Sequence, residues 1–237
     1  MDVYSAASGR PAAPSDVWET GPVAAIFMTH FADLSSWELA QRLVKVIPTL
    51  QAGGVQVFAV GLGSPEQGRR FAQLLEFPAE VLFADPEGAC HRALGFSRGF
   101  APEARVSPYL KLLPMLAGIG SPGTLLEVIR GYVGDRGAKP VFEGVSPFNV
   151  LGTGYQRPFE LATLRLRNMV GILPEWGSLA PERVDLLTQQ GGALVLSGAP
   201  ERRPLFRHAD RGILDTVDVD ALVCAALAAE PQALPGA

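Results

Sequence analysis

Two hydrophobic periods alternate along the first hundred residues. The run VAAIFMT (23–29) is apolar throughout and of strand length, as expected of a strand buried on both faces. From Asp33 to about Gln51 the period changes. Trp37, Ala40, Leu43, Val44 and Ile47 recur at steps of three and four, which predicts a helix stopped by Gly53-Gly54. VQVFAVGLG (55–63) predicts a second buried strand. In SPEQ, Ser64 suits an N-cap, Pro65 the first helical position and Gln67 the reciprocal capping place, so a helix is expected to about Glu76. VLFADP (81–86) predicts a third strand and GACHRALGF (88–96) a short helix.

That order predicts an α/β fold with a mostly parallel sheet. The pattern then breaks and resumes late. GGALVLSG (191–198) and PLFRHAD (204–210) are close enough to form a hairpin, and VDVDALVCAALAA (217–229) predicts a closing helix. This layout is that of a thioredoxin-like domain over residues 21–230. Residues 97–187 form a large, mostly helical insertion before the C-terminal hairpin. SPGTLLEVIRGY (121–132) is expected to be a helix with a Ser-Pro start, and RPFELATLRLRNMVGIL (157–173) a second helix. On the second, Phe159, Ala162, Leu166, Met169 and Leu173 share a face and Arg165 lies off it.

Composition changes this picture little. The 237 residues are 48% apolar and 19% charged, as in an ordinary globular protein. A net charge of -4 argues against a nucleic-acid partner, which usually needs a basic face. The insertion holds ten Lys/Arg and eight Asp/Glu, net +2, against -6 for the remainder. MDVYSAASGRPAAPSD lacks the basic start and apolar core of a signal peptide, so residues 1–20 are expected to be a flexible tail, as are residues 231–237. No apolar run is long enough for a transmembrane segment. LKLLPMLAGIG (110–120), interrupted by Pro114, at most touches a membrane or a partner. Two cysteines fit a reducing, cytoplasmic setting.

Candidate chemistry centres on THFADLSSWELA (29–40). After such a strand, a cysteine at the helix start becomes a thiolate, because the helix dipole and free N–H groups favour negative charge. Asp33 fills that place and Ser36 the place one turn on. Asp33 is a good N-cap but has no redox chemistry, and Ser36 needs a paired base to act as a nucleophile. Cys90, near the start of the short helix, is the alternative thiol, although a small buried side chain is the simpler reading. Cys224, between ALV and AALAA, is expected in or near the core. His30, His91 and His208 lack metal-ligand spacing, so neither a metal nor a cofactor is expected. GLGSPEQG resembles a phosphate loop only superficially, since no Lys-Ser/Thr follows.

HFADLSSWELAQRL, GVQVFAVGLGSPEQGRRFAQLLEFP and FADPEGACHRALGF resemble the peroxiredoxin-like 2 proteins of the alkyl hydroperoxide reductase/thiol-specific antioxidant (AhpC/TSA) branch of the thioredoxin superfamily. Members with intact sites read His-Phe-Gly-Cys-x-x-Cys, and the two cysteines fall on Asp33 and Ser36. The family's Gln-x-Gly-Gly matches Gln189-Gln190-Gly191-Gly192. GIGSPGTLLEVIRGYVGDRGA, GYQRPFELATLRLRNM, LTQQGG and HADRGIL resemble a cyanobacterial-type subgroup that also lacks the cysteine pair. The helix start without sulfur and the surface added by the insertion point to a non-catalytic binding or assembly module, and the resemblance to a photosynthetic lineage implies where its partner lies. Its partner would be a protein, a photosystem or another thylakoid-associated complex, reached from the cytoplasm or peripherally at the thylakoid membrane. The alternative is a thiol oxidoreductase using Cys90. The binding candidates are His30, Phe31, Asp33, Ser36 and Trp37 at the helix start, Arg157, Arg165 and Arg167 in the insertion, and Gln189, Gly191 and Gly192 before the late strand.

Overall fold

The uninterrupted apolar run forms strand β3 (Val23–His30), in which every residue is buried. Its side chains alternate between two cores, as a strand's period of two requires. Ala24, Ile26 and Met28 enter the larger core, and Val23, Ala25 and Phe27 the smaller. A computed structural model, which describes residues 3–13 and 21–229, places β3 in the interior of a seven-stranded sheet. Helix α1 (Leu34–Ala52) leads to β4 (Gln56–Leu62), which pairs with β3 in parallel. Helix α2 (Pro65–Leu75) starts in the expected box: Gln67 N–H donates to Ser64 Oγ, and Ser64 N–H donates to Gln67 Oε1. Strand β5 (Leu82–Ala84) follows, then the short α3 (Ala89–Ala93).

Strands β6 (Gly192–Leu196) and β7 (Pro204–Ala209) form the expected antiparallel hairpin, with β6 also antiparallel to β3. Helix α7 (Val219–Leu227) closes the chain's fold. The order β4-β3-β6-β7, with β5 beside β4, is the thioredoxin-like arrangement. Helices α1, α2 and α7 cover the face with the larger core. Part of the expected N-terminal tail is structural. Strands β1 (Val3–Ser5) and β2 (Pro11–Ala12) pair onto the free edge of β5, with Val3 and Ala6 fully buried. An otherwise unpaired edge is thereby covered. Residues 14–20 and 230–237, including the expected C-terminal tail, lie outside the described residues.

The insertion supplies α4 (Pro108–Leu116), α5 (Thr124–Val133) and α6 (Glu160–Leu179). Helix α4 runs through Pro114, which sits in its last turn. Helix α5 begins after Gly123 rather than at Ser121, whose hydroxyl instead accepts from Ile213 N–H at 2.9 Å.

Helix α6 turns outward the face on which the sequence groups its apolar residues. Phe159, just before it, and Leu166, Met169 and Leu173 on it are exposed, whereas Leu161, Arg165, Asn168 and Ile172 are buried. The cause is the surface that α1 presents. Glu38, 6% exposed, accepts from Arg165 Nε at 3.0 Å, and Gln41 exchanges two amide hydrogen bonds with Asn168 at 2.9 and 3.0 Å. Arg165 also donates to the Glu127 carbonyl at 2.6 Å and its carboxylate at 3.3 Å, joining α5 to the seam. An apolar face in this place would leave buried Glu38 with only the 3.7 Å contact to the partly exposed Arg42.

Arg165→Ala is therefore expected to lower stability by about 3 kcal/mol, while Glu38→Met combined with Arg165→Met should recover most of the loss. Urea unfolding of the three proteins checks this; single and double variants of equal stability would show that the seam is not a coupled pair.

Candidate functional site

The site expected from the sequence lies where β3 runs into α1. Asp33 is the N-cap, in extended conformation, and accepts from Ser35 N–H at 3.3 Å. Its second carboxylate oxygen accepts from the Thr29 hydroxyl at 2.6 Å, and Thr29 Oγ1 lies 2.8 Å from Ser36 Oγ. Thr29 has one hydroxyl hydrogen, and the carboxylate can only accept, so Ser36 must donate to Thr29. The chain Ser36→Thr29→Asp33 therefore commits the Ser36 proton inside the protein. Ser36 is 1% exposed, and no base stands on it. Ser35, between them, accepts from Leu214 N–H at 3.1 Å, tying the loop before α7 to the helix start.

The flanking residues are seated, not presented. Phe31 is fully buried, with its ring against Gly61, Gly63 and Gly68. A Cβ on Gly61 would come within 2.3 Å of that ring. The glycines of the GLGSPEQG segment thus make room for Phe31 and not for a phosphate. The Trp37 indole donates to the Phe31 carbonyl at 3.0 Å. His30 is buried, and among the described residues its Nδ1 has no hydrogen-bond partner. Burial pushes its pKa below 6.5, and the nearby Asp33 charge only partly opposes this.

The insertion covers this junction. Trp176 of α6 meets the His30 ring edge-on at 6.1 Å, and Gly171 of α6 lies against the Trp37 ring. At the end of α6, the Ala180 carbonyl accepts from Gln67 Nε2 at 2.6 Å.

The remaining candidates are dispersed. Arg157 and Glu160 are a fully buried ion pair, with Arg157 also donating to the Phe142 carbonyl at 2.9 Å and to Asn149 Oδ1. Arg157 therefore fastens the loop after α5, and Arg165 belongs to the α1–α6 seam; both guanidinium groups are engaged within the chain. Arg167 alone of the three is exposed. Gln189 is also structural: its Nε2 donates to the Ser97 carbonyl at 3.0 Å. Gly191 and Gly192 permit close strand packing, since a Cβ would stand 2.1 Å from the Phe27 carbonyl oxygen or 2.4 Å from the Phe96 ring. Sequence reasoning missed Thr29, Trp176 and Glu38. The polar Thr29 closing an apolar strand was the available signal for the first, and none existed for the other two.

Cys90 takes the buried place that the simpler reading gives it, whereas Cys224 does not lie in the core. Cys90 is buried in the smaller core, across the sheet from Asp33. Burial, and then the charge of Asp85, push its thiol up to about 11. Asp85 itself is held below its ordinary pKa despite burial, by His91 and by the N–H groups of Ala89 and Cys90. The thiolate required of a redox cysteine is thus disfavoured twice over. Cys224 is exposed, contrary to the core position expected, because α7 turns Val219, Leu222 and Ala226 inward instead.

A thioredoxin-like scaffold whose helix-start site holds a carboxylate and a hydroxyl is the class that this geometry defines. A family model described as AhpC/TSA antioxidant enzyme matches residues 42–212, and the chain belongs to that family. The match begins beyond Asp33 and Ser36. The chain is 32% identical over 94 residues to "Thioredoxin-like protein AAED1, chloroplastic" of Arabidopsis thaliana. That stretch spans 38% of this chain and 38% of the relative's own length. Among solved structures it is similar to the peroxidoxin BcpB of Mycobacterium tuberculosis, at 12% identity and a TM-score of 0.49, over 97% of this chain and 93% of that one.

Two outcomes follow from these environments. In the folded protein at pH 8, a disulfide thiol reagent should react rapidly with one cysteine and slowly with the other, and Cys224→Ser should abolish the rapid phase; a rapid phase that survives would place the accessible thiol at Cys90. The second concerns His30, whose folded pKa lies below the unfolded value of 6.5. As pH falls through 6.5 the unfolded chain takes up a proton that the folded imidazole refuses, so stability is lost on acidification. His30→Gln should flatten the fall in unfolding free energy below pH 6.5, and unchanged slopes in the two proteins would exclude this contribution.

Proposed function

We propose that this chain is a redox-inactive member of the AhpC/TSA family that works as a binding or assembly module, with photosynthetic membrane complexes as its partners. The observation that carries the first part is the Ser36→Thr29→Asp33 chain. It occupies the electrostatic niche of a redox dithiol with groups that neither attack a peroxide nor form a disulfide. Covering of the junction by α6 supports the same reading, since a substrate would have to displace Trp176. The second part is supported by the resemblance of the insertion segments to a cyanobacterial-type subgroup and by the chloroplast designation of the plant relative. The location we infer with it is the cytoplasm, peripherally at the thylakoid.

The opposing reading, a thiol oxidoreductase through Cys90, requires a thiol that ionises readily. Burial and Asp85 work against it. Purified protein should consume neither hydrogen peroxide nor an organic hydroperoxide with dithiothreitol as reductant, and should not reduce insulin disulfides. Turnover that disappears in Cys90→Ser or Cys224→Ser would overturn the redox-inactive reading. Isolation of the protein from its native membranes solely as a free monomer would overturn the assembly role.

A further inference from the structure

The three insertion helices leave one joined apolar face outward. Leu113 and Leu116 on α4, Leu126 and Tyr132 on α5, and Leu166 and Leu173 on α6 are each half or more exposed. They are not scattered singly. Leu125 lies over Gly118 at the turn leaving α4, the Tyr132 ring meets the Phe159 ring edge-on at 6.2 Å, and Gly131 of α5 approaches Ala162 of α6. A groove of about 220 Å³ between α5 and α6, walled by Val128, Tyr132, Leu166 and Met169, opens on this face. Contiguous apolar surface on this scale marks an interaction site.

Charge selects the occupant. Helix α4 contains no carboxylate, and every carboxylate of α5 and α6 is engaged: Glu127 with Arg165 and Arg130, Glu160 with Arg157, and Glu175 with Arg70. The cations are not all engaged. Arg105 leads into α4, Arg136 leaves α5 and Arg167 stands on α6 beside Leu166. Among the described residues none of the three has a carboxylate partner, and Arg136 lies over the Tyr155 ring. An exposed apolar face with unneutralised arginines, on a segment of net +2 in a chain of net -4, matches a surface that is apolar beneath and negative above. A second copy would bring the same uncompensated arginines to the contact and bury them against each other.

We propose that the α4–α6 face is a docking surface for an anionic lipid bilayer, with the apolar side chains entering the interface and Arg105, Arg136 and Arg167 meeting the headgroups. This rests on the binding-module reading, to which it adds the chemistry of the surface bound. No helix among the described residues is long and apolar enough to cross a membrane, so the contact is one of lying on the surface.

Flotation of the full chain with vesicles tests it. The protein should float with vesicles of equal parts phosphatidylglycerol and phosphatidylcholine at low salt. It should stay behind with phosphatidylcholine alone, and raised salt should release it. Leu126→Asp with Leu173→Asp should weaken flotation by roughly tenfold or more, as should Arg105→Glu with Arg167→Glu. All four positions are exposed, and unchanged thermal unfolding would show that the variants are folded. No flotation with the anionic vesicles, or wild-type flotation of both variants, would overturn the proposal. So would sedimentation as a dimer that Leu126→Asp dissociates, which gives the face to a second copy. Absence of flotation in protein that lacks peroxide turnover ends the lipid proposal alone; peroxide turnover ends the redox-inactive reading whatever the vesicles show.

Discussion

The buried contact of Glu38 with Arg165 organises the molecule beyond the sheet. An acidic residue on the inward side of α1 demands a cation, and Arg165 supplies it from a helix 127 positions away in sequence. The same guanidinium takes the Glu127 carbonyl and carboxylate, so one side chain joins α1, α5 and α6. Because the pair fixes the rotation of α6, it also determines what α6 shows to solvent. Two consequences follow from that one rotation: an apolar face turned outward, and Trp176 set over His30. The insertion is thus tied to the helix-start site by the constraint that exposes its own surface.

The helix-start site shows how a thioredoxin-like scaffold closes around a carboxylate and two hydroxyls. Asp33 keeps the favourable anion at the positive end of α1. Thr29 donates to its second oxygen and Ser36 donates in turn to Thr29, so both hydroxyl protons are committed within the chain. The surrounding seats, Phe31 among three glycines and the Trp37 indole on the Phe31 carbonyl, are packing features that hold the junction whether or not sulfur is present. Family membership therefore transfers the fold with confidence in its physics, while the chemistry must be read from the four or five atoms at Asp33 and Ser36.

Much of this was legible in the sequence. Buried strands of uniform apolarity, the Ser64-Pro65-Gln67 start and the Asp33 cap are local signals, set by backbone groups within a few residues of the side chains that satisfy them. Periodicity placed α6 as a helix and grouped Phe159, Leu166, Met169 and Leu173 on one face, but it does not say whether that face meets the core or solvent. Arg157, Gln189, Gly191 and Gly192 were legible as unusual residues, yet their roles are packing and pairing, which differ from binding only in what lies opposite them.

What the chain decided by itself was therefore the order of its elements and the absence of a sulfur nucleophile at the helix start, both properties of neighbouring residues. Tertiary structure alone decided which way α6 faces, that Cys90 is sealed in a core while Cys224 meets solvent, and that residues 3–13 complete the sheet. Each of those outcomes depends on a partner distant in sequence: Glu38 for Arg165, Asp85 and the phenylalanine core for Cys90, the edge of β5 for Val3–Ser5. Burial of charge and pairing of strand edges are satisfied by whatever group the fold brings near, and no local pattern of residues records which group that will be.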